Sequence, residues 1–235
     1  MKHLIFFIVL INVYSSCFPQ NKIKGIGIFK IGETKINVIN QILEDNNTEL
    51  ENCNSVKQDR WLKFRMDFTV AELFPNITDI DLDPLLTCFC PDVRVFFIKE
   101  YTIAGIYLSN IHLRFYKNTL IEFYCDDSDD LLQALTTKFG NPKRLDKWDK
   151  ISGFNFSDNT KYSSLYWNND PIFASFNYET DASGENDFYF VIRDISYDKT
   201  IKDCETQRKD AYIYLERERL KDIKDKKEKD ILNNL

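Results

Sequence analysis

Three groups of side chains in this 235-residue chain have types and spacings that could do chemistry. Asp79, Asp81 and Asp83 alternate, so an extended backbone would set three carboxylates on one side. Glycosidases use such carboxylates in pairs, one protonated and one ionised. Calcium also favours clustered acids, but its loop wants glycine at the sixth position and glutamate at the twelfth. Counted from Asp79, those places hold Pro84 and Cys90, so the pattern fails. The plainer alternative is a solvated loop ahead of Leu85 and Leu86. Cys88-Phe89-Cys90 is the second group. In an oxidising compartment it would form a structural disulfide with Cys53 or another cysteine. A buried pair of free thiols is the alternative, and a metal fits least, because zinc usually takes four Cys or His ligands at paired spacing. His112 is the third. Only His3 accompanies it in the chain, and no recognisable Ser or Cys motif goes with it, so it reads as a structural strand residue rather than part of a triad.

The amino terminus sets the compartment in which these groups would act. Met1-Lys2-His3 is a short basic start, and Leu4 to Val13 is an apolar run broken only by Asn12. Small residues and Cys17 follow. Residues 1–16 thus have the three-part layout of a secretory signal, and the apolar run is too short to span a bilayer. Ser15-Ser16-Cys17 resembles the end of a bacterial lipoprotein signal, with Tyr14 where that family usually carries an aliphatic residue. The resemblance implies lipidation at Cys17 and attachment to an envelope membrane. Plain cleavage after Ser15 and secretion is the competing reading. If Cys17 carries lipid, Cys53, Cys88, Cys90, Cys125 and Cys204 leave an odd thiol. The expected location is therefore periplasmic or outer-membrane-anchored, alternatively secreted.

Composition bounds the rest. With 43% hydrophobic and 29% charged residues the chain should fold, and 19 Phe with 12 Tyr favour strands. Net charge is −6, without the basic excess that phosphate backbones require, so no nucleic-acid partner is expected. Gly25-x-Gly27 lacks the third glycine of a dinucleotide loop, and no cofactor is expected. Aromatics at Tyr162, Tyr166, Trp167, Phe173, Phe176 and Tyr178 could stack sugars or a partner, but strand aromatics more often pair across a sheet.

The elements follow from periodicity. Residues 22–29 predict a strand with a glycine bulge, and Thr34 an N-cap for a helix over 35–44. Leu62, Phe64, Met66, Phe68 and Val70 alternate as a half-buried strand. Strands are predicted over 93–99, 102–108, 111–116 and 120–125, with a hairpin turn at Lys117-Asn118-Thr119. Asp127 or Ser128 caps a second helix with Leu131, Leu132, Leu135 and Phe139 inward, and Gly140 with Pro142 stops it. Strands over 163–167, 172–178 and 188–195 complete an α+β domain over 17–200: antiparallel sheet with two packed helices. Both helices follow a strand at the same offset, so two tandem helix-on-sheet units, about 22–108 and 109–200, are one organisation to expect. The turn Ile31-Gly32-Glu33-Thr34 is similar to the motif opening small helix-plus-sheet modules of envelope lipoproteins in outer-membrane assembly. Tandem modules of that shape also occur in beta-lactamase inhibitory proteins, and the resemblance implies a fold and no functional residue. Residues 201–235 predict a long charged helix, docked through Ala211, Tyr212 and Leu215. Thirteen of the fifteen residues from Glu216 to Asp230 are charged, so its second half is either a solvated tail or a rod offered to a partner. The leading function is an envelope protein that binds an unknown protein or envelope component, or plays a structural role. The alternative is a secreted hydrolase using Asp79, Asp81 and Asp83.

Overall fold

The computed structural model describes residues 22–53, 68–74, 88–145, 161–180 and 186–233. The segment 1–21 with Cys17, and the trio Asp79, Asp81 and Asp83, lie outside them, as does most of the alternating run before Val70.

Hairpin β1 (Gly25–Ile26) and β2 (Phe29–Lys30) stands apart from a nine-stranded sheet. The turn between its strands needs Gly27. Its φ is +55°, and a Cβ there would lie 2.4 Å from the Ile103 Cγ2. Helix α1 follows at Val38–Asp45. It starts later than Thr34 predicts, because Thr34 is spent on the turn before it. The Thr34 Oγ1 accepts from the Lys30 N–H at 2.8 Å and donates to the Ile28 carbonyl at 2.6 Å.

The sheet comprises β3 (Glu51–Cys53), β4 (Val70–Leu73), β5 (Val93–Ile103), β6 (Ile106–Tyr116), β7 (Thr119–Asp126), β8 (Lys143–Leu145), β9 (Lys161–Asn169), β10 (Ile172–Thr180) and β11 (Asn186–Asp194). Its spatial order is β3-β4-β5-β6-β7-β11-β10-β9-β8. It is mixed rather than purely antiparallel, because β3 and β4 run parallel. The two expected units share this single sheet, and a boundary at 108/109 would cut through β6. A repeat survives in the topology. Each of the first two helices is followed by four strands laid from one rim inward, with β7 between the two sets.

Two-residue turns of left-handed backbone set the hairpins. Lys117 and Asn118 both have positive φ, as do Ala104 and Gly105. The second turn splits the strand predicted over 102–108. Helix α2 (Asp129–Phe139) forms as its sequence predicts. Ser128 accepts from the Leu131 N–H, and the Gly140 φ of 83° ends the helix.

The main core lies on one face of the sheet. Val38, Ile39 and Ile42 of α1 and Leu131, Leu135 and Phe139 of α2 pack there with Phe96, Phe123, Phe176 and Phe190. Strand β5 is buried on both faces. Phe96 and Ile98 join the main core, whereas Val93, Val95 and Phe97 join a smaller cluster with Ala71, Leu73 and Cys90. Phe190 is fully buried, with its ring 4.7 Å from Phe176 and 6.4 Å from Phe123. Emptying such a site removes transfer energy and leaves a cavity. The Phe190→Ala variant should therefore lose about 3–5 kcal/mol of unfolding free energy in urea titrations. A loss below about 1 kcal/mol would mean that the aromatic column does not hold the halves together.

Candidate functional site

The third helix, α3 (Asp198–Asn233), starts on the sheet and leaves it. Its start is built by local hydrogen bonds. The Asp194 carboxylate accepts from the Ser196 N–H at 2.9 Å and its hydroxyl at 2.5 Å, which turns the chain through a 3-10 turn, Ile195–Tyr197. Arg193 reaches Asp198 at 3.5 Å. Burial raises the Asp198 pKa, and the Arg193 charge works against that rise. Beside them Arg114 pairs with Glu122 at 3.2 Å, both almost buried. Removing Arg114 would take away the positive charge that faces the nearly buried Glu122, a costly change.

Docking then takes two turns. Ile201 and Cys204 pack on the smaller cluster of the sheet. Cys204 is disulfide-bonded to Cys90 across 114 residues of sequence. The disulfide expected of the Cys88-Phe89-Cys90 pair thus forms at Cys90, with another cysteine rather than Cys53. Cys90 takes its partner from α3, Cys53 ends β3, and Cys88 keeps a free thiol. That thiol donates to the Glu205 Oε2 at 2.5 Å, and the Phe89 N–H donates to the same oxygen at 2.9 Å. Burial first, and then the Glu205 charge, push the Cys88 pKa up to about 12. The expected docking through Ala211 and Leu215 is corrected, because both are exposed; the Tyr212 side chain lies outside the described ones. Leu215 is 66% exposed, and Tyr214, Leu220 and Ile223 are exposed as well. Leu220 and Ile223, three apart on one helical face, are both exposed.

His112 lies on β6, buried between the Phe97 and Tyr124 rings at 5.4 and 5.5 Å. Burial and the Arg114 charge bring its pKa down to about 3, so the ring is neutral near pH 7. A polar group nearby involves Asp126, which accepts from the Asn110 amide at 2.6 Å and the Ser109 hydroxyl at 3.0 Å. Among the described residues no three His, Cys, Asp or Glu side chains converge to hold a metal. Tyr166 stacks on Phe173, and Trp167 meets Phe176 while donating to the Gly140 carbonyl, so these aromatics are engaged with one another.

The chain matches no known protein family, no curated protein and no solved structure.

Candidate function therefore rests on α3 and its anchor. At 1.5 Å per residue, a 36-residue helix is about 54 Å long. Its described distal side chains face solvent with alternating charges. Sequence reasoning left the partner of Cys90 open and missed Glu205. The one local signal was Ile201 and Cys204, three apart on one helical face. No helix among the described residues is long and apolar enough to cross a membrane.

The His112 environment makes a pH prediction. Its folded pKa is below the unfolded value near 6.5, so its penalty is absent above that value and grows as pH falls toward 3. Within that window this group alone costs up to about 1.4 kcal/mol per pH unit. Chemical denaturation from pH 7 to 4 should show a flatter stability profile for His112→Gln than for the wild type. Parallel profiles would mean that the imidazole is reached by water or already paired with a proton in the fold.

Proposed function

We propose that this is an exported protein of the cell envelope whose sheet domain holds α3 out as a binding element for a protein or envelope component. The observation that carries the reading is the Cys90–Cys204 disulfide, which joins the sheet to α3. Such bonds persist in oxidising compartments and are rare in the cytosol, which agrees with the signal layout of residues 1–16. Cys17 is then the site of lipid attachment, and the sheet domain stands outside the cytoplasmic membrane.

The binding role follows from where folding energy is spent. Ile201 and Cys204 give α3 its seat, while Tyr214, Leu215, Leu220 and Ile223 bury little. A helix kept beyond its seat serves no packing need of the domain. Charge pairs four residues apart, such as Asp222 with Lys226, support it in water at a few tenths of a kcal/mol each.

Two measurements test this reading. Intact mass of the native protein should show a chain beginning at Cys17 with a diacylglyceryl group. A chain beginning at Met1, found in the cytosol with reduced thiols, would overturn the export assignment. A chain ended at Glu216 should keep its unfolding free energy within about 0.5 kcal/mol of the full protein. If instead the shortened protein unfolds, the distal helix is part of the fold rather than a binding element.

A further inference from the structure

Cys88, Cys90 and Cys204 pack on one small cluster, although 116 residues separate Cys88 from Cys204 in sequence. Cys90 and Cys204 are joined, and Cys88 is the thiol left over. The Cys88 sulfur is not simply stored in the core. Its hydrogen bond goes to Glu205, the residue beside Cys204, and the same carboxylate holds the Phe89 N–H. A carboxylate acceptor keeps the proton on sulfur, and only the thiolate attacks a disulfide. Arg114 also faces Cys88 and acts in the opposite sense. Cys125, by contrast, is buried in the main core away from this group.

From this arrangement we infer that Cys88, Cys90 and Cys204 form an intramolecular thiol–disulfide exchange centre, with Glu205 as the lock that holds Cys88 in its thiol form. The step is redox-neutral. Base in solution removes the Cys88 proton, and the Cys88 sulfur attacks the Cys204 sulfur. A Cys88–Cys204 bond forms as the Cys90–Cys204 bond breaks. The electron pair leaves on the Cys90 sulfur, which takes a proton from solvent. The product still tethers α3, now through a residue two positions earlier, at the margin of the cluster instead of within it. This activity goes beyond the proposed binding role and stands without it.

The test uses the full-length oxidised protein, trapped by acid, alkylated and mapped without reduction. Chymotrypsin cleaves after Phe89, which separates Cys88 from Cys90. In Cys90→Ser, oxidation under native conditions should yield the Cys88–Cys204 peptide. In Glu205→Gln, which keeps all three cysteines, the same peptide should accumulate faster than in the wild type at about pH 8.5. Each tenfold gain in thiolate should raise the rate about threefold, because nucleophilicity falls as the thiol becomes more acidic. Absence of the Cys88–Cys204 peptide from Glu205→Gln and, where that variant folds, from Cys90→Ser would overturn the proposal. So would a Glu205→Gln rate equal to or below the wild type. Neither result bears on the mature amino terminus, so the export reading stands or falls separately.

Discussion

The backbone ladder between β7 and β11 is the contact on which the rest of the molecule depends. Five residue pairs, from Tyr189 opposite Asp126 to Arg193 opposite Glu122, join strands far apart in sequence. Without that seam there would be two smaller sheets, each with a half-covered helix. With it, Phe123 and Cys125 from one strand meet Phe190 and Ile192 from the other in one core. The cost is loop-closure entropy, which grows slowly with separation and is recovered by burying both strands.

The same seam decides where α3 begins. Glu122 on β7 and Arg193 on β11 lie opposite each other, with Arg114 and Asp198 completing a run of alternating charges. Buried ion pairs are weak sources of net stability, because desolvation consumes most of the attraction. Their value here is positional: the start of α3 is admitted at one place on the sheet, beside Tyr116, whose ring lies 5.3 Å from Tyr197.

Local periodicity carried much of this fold, and long-range choices did not. Ser128, Leu131, Leu135, Phe139 and Gly140 each have one physical role in a helix, so α2 was legible end to end. Lys117-Asn118 was legible as a turn because asparagine tolerates positive φ. Ala104-Gly105 was not, since alanine seldom takes that conformation and apolar residues continue on both sides. Thr34 misled because a hydroxyl suits a turn as well as a cap. The parallel β3–β4 pair and the strand order had no local signature at all. Among site residues, Cys88-Phe89-Cys90 was visible as a pair, but spacing alone cannot assign disulfide partners. Cys204 was counted among the cysteines without being singled out as the partner, and Glu205 became legible only once the fold brought it to Cys88.

A helix seated at one end behaves as a lever. From Cys204 to Asn233 the arm is roughly 44 Å, so a tilt of about 10° at the clasp would sweep the far tip by roughly 8 Å. Any event at the sulfurs, however small in atomic displacement, is thus magnified where the arm ends.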